Sequence, residues 1–324
     1  MIGVYIPSTD ARSFIDNIKQ AEAAGVPSFW LTTGGLLPDI PTVFAAAAMV
    51  TSKIKLGTSI TQTWPRHPVA LASQCIALSQ IAPGRFRVGL GASHQPAVEA
   101  MYGVKYEKPL TNLREHLFVL TELLRKGEVD FAGAFVKCTA KLGGGPLPST
   151  IPVPIDVPVM ISALRPASFR LAGELADGAI SWVCPWNYLR DVALVEMKKA
   201  AVEANRPAPA LVAHVNVCLT TDREAAREAA RAQIGRYGNL VNYRGMFEWA
   251  GFADPTGADQ DRLIDTLCVS GSEAEVSERL ATIIHEGASE IIAHPIYYSE
   301  DRAAENEATL KLAARANKEA GIKV

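Results

Sequence analysis

The residues best suited to do chemistry in this sequence are small hydroxyl-bearing and glycine residues at the ends of short apolar runs. Eight run ends carry such groups or other polar residues: Tyr5 with Pro7, Thr32–Gly34, Thr58–Thr61, Gly91–His94, Ser162–Arg165, Trp182–Cys184, Asn216, and His294 with Pro295. Carboxylates are scarce in this set, which disfavours acid–base hydrolysis and metal binding. Hydroxyls and glycines suit a flat polar ring that needs hydrogen bonds and close backbone approach, so a cofactor would supply the difficult chemistry.

Neither the histidines nor the cysteines form a ligand pattern. The six histidines contain no HExxH-type pair, so we expect no metal site. The five cysteines are scattered without a CxxC pair, which is typical of reduced thiols in a cytoplasmic protein. His94 and His294 stand at predicted strand ends and are our candidate proton donors, with a hydrogen-bonded structural role as the alternative for each.

The composition points to a small-molecule partner. The 324 residues carry 32 basic and 34 acidic side chains, for a net charge of −2, without a block of like charge. A nucleic-acid groove or an anionic membrane surface needs a basic patch, so neither partner is expected. No apolar run approaches the ~18 residues of a membrane-spanning helix.

Short apolar runs alternate with amphipathic stretches along the whole chain. Most runs are continuously apolar, which is typical of parallel strands buried on both faces. Helices are predicted between them, for example at Ser13–Ala24 and, from a capping-type serine, at Ser272–Glu286. Asp39 and His67 are predicted to cap further helices. The predicted strands are Ile2–Ile6, Ser28–Leu31, Ile54–Ile60, Phe86–Gly91, Val157–Ala163, Gly178–Val183, Leu211–Leu219 and Glu290–His294.

Eight β–α units predict one α/β domain over residues 1–324, a (β/α)₈ TIM barrel. A doubly wound sheet is the alternative, but the third glycine of its GxGxxG fingerprint would fall on His94, after the fourth strand. Insertions are expected after strands four and seven, at Val129–Asp156 and Tyr237–Thr266. The segment GEVDFAGAFVKC at the first insertion reads as a hairpin.

Three blocks of sequence, taken together, are similar to a known family. They are IKLGTSITQTWPRHPVALASQCIALSQIAPGRFRVGLGAS, ISALRPASFRLAGELADGAISW and CVSGSEAEVSERLATIIHEGASEII, and they cover roughly two thirds of the chain. In this order they resemble the luciferase-like flavin oxidoreductases and monooxygenases. LGTSI and the compact size are closest to the branch that uses the deazaflavin coenzyme F420, with FMN as the alternative cofactor.

The resemblance implies which residues bind the cofactor. The Ser59–Ile60 bond falls where deazaflavin-dependent members have a non-proline cis peptide behind the ring. Gly91–His94 match a turn that meets the cofactor side chain and phosphate, Ser162–Leu164 match a second turn near the phosphate, and Arg165 opens the next helix. The implied set is Thr33, Thr58, Ser59, Ile60, Gly91, Ala92, Ser93, His94, Ser162, Ala163, Leu164 and Arg165.

The sequence departs from the family pattern where deazaflavin-dependent relatives carry acidic residues. This chain has Thr33-Gly34 at the end of strand two and Ser93-His94 in the turn after strand four. The resemblance therefore transfers no acid–base mechanism. Trp64 and Trp182 are our candidates for the wall of the substrate pocket, with packing as the alternative role.

The leading hypothesis is an F420-dependent oxidoreductase that transfers a hydride between the deazaflavin and a small organic substrate. An FMN-dependent monooxygenase of the same family is the first alternative, and a non-catalytic cofactor-binding subunit is the second. The resemblance also implies a homodimer.

Overall fold

Eight parallel strands follow one another around a closed barrel in the computed structural model, which describes residues 1–143 and 151–321. They are β1 (Ile2–Val4), β2 (Ser28–Leu31), β3 (Lys55–Thr58), β5 (Phe86–Gly91), β8 (Val159–Ser162), β9 (Gly178–Ser181), β10 (Ala210–Cys218) and β12 (Glu290–Pro295). Each pairs with the next in this order, and β12 returns to pair with β1. The predicted TIM barrel is confirmed, because a doubly wound sheet would leave two open edges.

Helices connect successive strands and cover the outside of the barrel. They are α1 (Ala11–Ala23), α2 (Ile40–Ala48), α3 (Pro68–Ile81), α4 (Gln95–Tyr102), α5 (Pro109–Lys126), α6 (Pro166–Leu175), α7 (Trp186–Tyr188), α8 (Leu194–Glu203), α9 (Arg223–Ile234), α10 (Val241–Trp249), α11 (Gln260–Leu267), α12 (Glu273–His285) and α13 (Arg302–Glu319), with a π-helical turn at Leu189–Ala193 and a 3₁₀-helix at Gly235–Asn239. No helix of the described ranges is long and apolar enough to cross a membrane.

The predicted caps are confirmed. Asp39 accepts a hydrogen bond from the backbone of α2, and Nδ1 of His67 accepts one from Val69 N at 3.3 Å at the start of α3. Ser272 and Glu275 form a reciprocal capping box at the start of α12.

Four shorter strands lie off the barrel path. They are β4 (Thr61–Gln62) beside β5, the antiparallel hairpin β6 (Glu128–Ala132) and β7 (Lys137–Lys141), and β11 (Cys268–Ser270) beside the end of β10. The hairpin confirms the prediction made from GEVDFAGAFVKC, although residues 144–150 of that insertion lie outside the described part. The insertion after β10 contains the 3₁₀-helix, α10 and most of α11, so it is helical rather than the irregular loop that its polar composition suggests.

Polar side chains fill the barrel interior at the N-terminal ends of the strands. The buried carboxylate of Glu290 accepts hydrogen bonds from Arg87 at 3.1 Å, Trp30 Nε1 at 2.7 Å and Ser28 at 2.5 Å. Burial alone would raise the pKa of Glu290, but the charge of Arg87 and these hydrogen bonds outweigh it and lower the pKa below its ordinary value. We call Glu290, Arg87, Ser28 and the Trp30 indole nitrogen the polar base.

The side chains above the polar base follow the period of two that strands impose on a barrel interior. Two residues further along the strands lies an apolar layer, which consists of Trp30, Met160, Ile180, Val212 and Ile292. Gly57 makes room for the indole of this layer, because a Cβ there would lie 2.3 Å from Trp30. Another two residues along, the interior positions are Thr32, Ser162, Trp182, His214 and His294, and all five face a cavity.

Candidate functional site

A cavity of about 1090 Å³ opens at the C-terminal ends of the barrel strands, where TIM-barrel enzymes place their active sites. Its described lining contains no acidic side chain but includes three arginines, Arg165, Arg170 and Arg236. Arg170 pairs with Glu196 at 3.2 Å, whereas in the described ranges Arg165 and Arg236 pair with no carboxylate. The cavity therefore favours an anionic or neutral ligand. The predicted residues that line it are Thr33, Ser59, Ile60, Ala92, Ser93, His94, Ser162, Ala163, Leu164, Arg165, Trp182 and His294.

Three predicted residues, Thr58, Gly91 and Trp64, do not line the cavity. The hydroxyl of buried Thr58 bonds to Gly89 O at 3.1 Å and to Gly89 N at 2.8 Å, so it joins β3 to β5. Gly91 lies behind the wall, where a Cβ would come within 2.7 Å of both Ile60 and Ser162. Trp64 packs against Tyr106 at 5.2 Å instead of reaching the cavity, because Tyr106 stands in front of it.

The chain beyond β3 presents backbone and hydroxyl groups to the cavity. The Ser59–Ile60 peptide is cis, as the resemblance implies. Hydrogen bonds hold this segment to the end of β2, from Thr32 Oγ1 to Ser59 O at 2.6 Å and from Thr33 N to Ile60 O at 2.9 Å. The hydroxyls of Ser59 and Thr33 are buried without a hydrogen-bond partner in the described part of the chain.

The turn after β5 is held from outside the barrel. Ser93 has a φ of 59°, in the left-handed region that an L-residue rarely adopts. Tyr106 donates to Ser93 O at 2.9 Å, Gln62 donates to its hydroxyl at 3.1 Å, and Tyr102 donates to Gln62 at 2.8 Å. This network fixes the part of the wall that ends in His94.

The turn after β8 leads directly into α6. Ser168 accepts hydrogen bonds from Leu164 N at 3.0 Å and Arg165 N at 3.1 Å, which shapes the turn, and Tyr188 donates to Leu164 O at 3.0 Å. The guanidinium of Arg165 lies 5.0 Å from the Trp249 ring of α10. A positive charge beside a helix N-terminus makes this corner suitable for a phosphate.

Aromatic side chains line the cavity on the opposite side. Tyr5 stacks on His294 at 4.6 Å with an interplanar angle of 10°, and Trp182 lies 5.0 Å from both His214 and His294. Burial lowers the pKa of His294 to about 3 and also lowers that of His214 well below its ordinary value, with a further contribution from His294. Both imidazoles are therefore neutral near pH 7, so at this pH His294 offers one N–H donor without a positive charge, and its role as a proton donor stays a prediction.

His94 lies at the exposed rim of the cavity, at the start of α4. Its ring packs near Tyr237 at 6.1 Å and Tyr243 at 6.0 Å. Desolvation and the charge of Arg236 lower its pKa, so it is less protonated at neutral pH than an ordinary histidine.

Sequence reasoning missed several lining residues. His214 had a signal, because it follows Val212 at the period of two that places both in the barrel interior. Gln62, Tyr106, Tyr237 and Tyr243 come from segments outside the barrel strands, and no local pattern marks them.

The residues present fit an anionic cofactor with a flat ring rather than a metal. In the described ranges, no group of three or more His, Cys, Asp or Glu side chains is placed to hold a metal ion. The unpartnered hydroxyls of Ser59 and Thr33 can bond to a ring, and Arg165 can bond to a phosphate. Burial raises the pKa of the nearby Cys184 thiol to about 12, so this thiol is protonated and unreactive near pH 7.

Comparisons with known proteins agree with this architecture. The chain is 27% identical over 320 residues to a 5,10-methylenetetrahydromethanopterin reductase of Methanolobus tindarius, covering 92% of this chain and 95% of the relative. An F420-dependent secondary alcohol dehydrogenase, solved with an F420–acetone adduct, is similar with a TM-score of 0.77 at 19% identity, over 97% of this chain and 99% of that one.

A second solved structure with the same fold binds a different cofactor. The oxygenating constituent of 3,6-diketocamphane monooxygenase, a type II Baeyer–Villiger enzyme from the CAM plasmid of Pseudomonas putida in complex with FMN, gives a TM-score of 0.72 at 20% identity, over 97% of this chain and 98% of that one. The family model described as luciferase-like monooxygenase matches residues 3–290, which span the barrel from β1 to the start of β12. The chain therefore belongs to the luciferase-like monooxygenase family.

Proposed function

We propose that this protein is an oxidoreductase that transfers a hydride between coenzyme F420 and a small organic substrate. The observation that carries the proposal is the large cavity at the strand ends, with unpartnered hydroxyls on one wall, arginines at its edge and no described carboxylate. The F420-dependent secondary alcohol dehydrogenase supports the choice of cofactor, and the reductase from Methanolobus tindarius supports the reaction class.

The proposal assigns a role to each part of the wall. Thr33, Ser59 and Ile60 hold the ring, and Ser162–Leu164 with Arg165 hold the phosphate. The deazaflavin, when bound, supplies the site that gives or takes the hydride. The chain itself orients the two reactants and excludes water through its aromatic side.

The cavity wall offers few side chains that could transfer a proton to or from the substrate. No carboxylate of the described part lines the cavity, and His294 is neutral. His94 at the rim, which is exposed, can pass a proton from solvent when it is protonated.

An FMN-dependent monooxygenase is the second candidate, favoured by the fold shared with the FMN-bound enzyme. A cofactor-binding subunit without turnover is the third, because this chain lacks the acidic residues of its deazaflavin-dependent relatives. The proposal also includes a homodimer in the cytoplasm, and light scattering of the purified protein checks the dimer.

Cofactor reconstitution tests the proposal. The purified protein is titrated with F420 and with FMN, and the reduced complexes are assayed with a panel of carbonyls, imines and activated alkenes while oxygen uptake is recorded. We expect F420 to bind more tightly, with substrate-dependent oxidation and no oxygen uptake. Tight FMN binding with oxygen consumption supports the monooxygenase instead, and cofactor binding without turnover supports the subunit.

A matched pair of variants locates the phosphate. Arg165→Met removes the unpaired guanidinium at the start of α6 and is expected to weaken cofactor binding about tenfold. Arg315→Met, an exposed arginine on α13, is the control and should leave the dissociation constant unchanged. Equal affinities of wild type and Arg165→Met would remove this residue from the phosphate site.

A further inference from the structure

The strand ends divide into two contiguous halves around the barrel. β2, β3, β5 and β8 are neighbours and lead into the hydroxyl and glycine residues described above. β9, β10, β12 and β1 are the other four neighbours, and they present Trp182, His214, His294 and Tyr5 to the cavity. We call these four residues the aromatic half.

The aromatic half is a packed unit rather than four separate rings. Tyr5 stacks on His294, Trp182 touches both histidines at 5.0 Å, and the two imidazole rings lie 6.3 Å apart. His214 is only 5% exposed, although it faces the cavity. The Tyr5 and His294 rings are nearly parallel at 10°, and Trp182 crosses the two histidines at 88° and 54°, so the rings form an aromatic wall that favours an aromatic ligand.

The polar atoms of this wall are unused by the protein. Nδ1 of His214 and of His294 are buried without a hydrogen-bond partner, and within the described ranges neither imidazole bonds to another residue. A neutral imidazole has one N–H donor and one acceptor. Because buried polar groups in folded proteins are nearly always satisfied, these two point to a ligand.

The wall also carries no formal charge. Both histidines have lowered pKa values, and burial raises the pKa of Tyr5, with a contribution from Tyr237, so all three are neutral near pH 7. Arg236, one of the lining arginines, lies 5.4 Å from the Tyr237 ring, which in turn lies 6.0 Å from Trp182. A carboxylate placed against the aromatic half would lose its hydration without a counter-ion, whereas an ammonium group would be partly compensated by cation–π attraction to the Tyr5 and Trp182 rings.

We propose that the aromatic half is the substrate subsite and that it binds an uncharged, flat carbonyl compound whose oxygen accepts a hydrogen bond from the imidazole of His294. This inference rests on the proposed function, because it places the substrate opposite the cofactor-binding half. It excludes substrates that place a carboxylate against this wall.

A matched pair of probes that differ in charge and have nearly the same shape tests the substrate class. Acetophenone, the neutral 4-acetylbenzamide and the anionic 4-acetylbenzoate are titrated by calorimetry into the protein, with and without oxidised F420. We expect the neutral amide to bind at least tenfold more tightly than the carboxylate. Equal or tighter binding of the carboxylate would overturn the inference and point to Arg236 as the anchor.

Variants at His294 test the hydrogen bond. The infrared carbonyl stretch of bound acetophenone should move to lower frequency in the wild type and in His294→Gln, which keeps a donor. His294→Leu should lose this shift and bind about tenfold more weakly, while His285→Leu on exposed α12 should match the wild type. An unchanged stretch in the wild type, or a retained shift in His294→Leu, would overturn the assignment.

The two proposals fail in different ways. Selective binding of acetophenone without turnover by any reduced cofactor contradicts the proposed function and leaves the subsite standing. F420-dependent turnover of charged substrates only would contradict the subsite and leave the proposed function standing.

Discussion

The two ends of the barrel bury polar side chains differently. At the N-terminal end, the carboxylate of Glu290 bonds to Arg87, Ser28 and Trp30, and within this polar base Arg87 Nε is the buried atom that bonds to no described residue. At the C-terminal end, four residues of the cavity wall each have a buried polar atom that bonds to no described residue: Thr33, Ser59, His214 and His294. The same strands supply both ends, and the apolar layer separates them.

The difference separates the polar side chains that stabilise the barrel from those that are available to bind ligands. A buried polar group costs free energy unless it is bonded, so the polar base holds the barrel closed while the cavity wall is left to be satisfied by ligands. TIM barrels in general place catalytic residues at the C-terminal face and stabilising residues at the N-terminal face. The following experiments test this division.

Breaking the polar base should have the largest effect on stability. Glu290→Ala leaves the Arg87 charge buried without its partner, and we expect the free energy of unfolding to fall by about 3–5 kcal/mol. Urea denaturation measures the loss. Glu273→Ala, which removes the exposed ion pair with Arg315, is the control and should cost less than about 1 kcal/mol.

A double variant distinguishes the cost of an unpaired buried charge from a general defect in folding. Arg87→Met with Glu290→Leu removes both charges and should recover most of the stability lost by Glu290→Ala. If the double variant is as unstable as Glu290→Ala, the lost free energy of unfolding comes from packing and from the lost hydrogen bonds of Ser28 and Trp30, not from the unpaired charge of Arg87.

The two ends should also lose stability in different pH windows. His294 has a folded pKa of about 3, below its ordinary 6.5, so the unfolded chain binds the proton first as the pH falls. The wild type should therefore lose up to about 1.4 kcal/mol per pH unit below pH 6.5 relative to His294→Gln. Glu290, with a lowered pKa, contributes stability above its ordinary 4.5 that is lost as the pH falls further, through its folded pKa.

Urea denaturation at pH 7.5 and pH 5.5 measures the histidine effect. The stability difference between wild type and His294→Gln should change in favour of the variant at the lower pH. A difference that is the same at both values would mean that His294 takes up its proton in the folded protein.

Two serine substitutions, one at each end of the barrel, should give the smallest differences in stability and in cofactor affinity. Ser28→Ala removes a hydrogen bond to the Glu290 carboxylate and should cost about 1–3 kcal/mol of stability without changing cofactor affinity. Ser59→Ala removes a hydroxyl with no described partner, so stability should change by less than about 0.5 kcal/mol while cofactor affinity falls about 2- to 10-fold. Denaturation and cofactor titration of both variants check the contrast, and a reversed pattern would contradict the division.

The sequence predicts the barrel well because each strand is a local signal. Continuous apolar runs, capping residues such as Ser272 and glycines after helices are recognised from neighbouring residues, and the structure shifts the strand ends by at most two positions. The predicted strand Ile54–Ile60, for example, ends at Thr58, before the cis peptide.

The site is only partly predictable because its contacts are not local. Gln62 and Ser93 are 31 positions apart, and Tyr106 reaches Ser93 from the connection between α4 and α5. Thr58 and Gly91 have the expected residue types, yet the Thr58 hydroxyl bonds to Gly89, and the inner side of Gly91 is covered by Ile60 and Ser162. Of the lining residues named above as missed, His214 is the one that the period of two along a strand predicts, since it follows the interior residue Val212 by two positions.

The apolar layer has a practical consequence for protein engineering. The apolar layer lies between the cavity and the polar base. Substitutions at Trp182, His214 and His294 therefore change the side chains that line the cavity and leave the residues of the polar base in place. Directed evolution toward new substrates can therefore randomise these three interior positions while the polar base continues to stabilise the barrel.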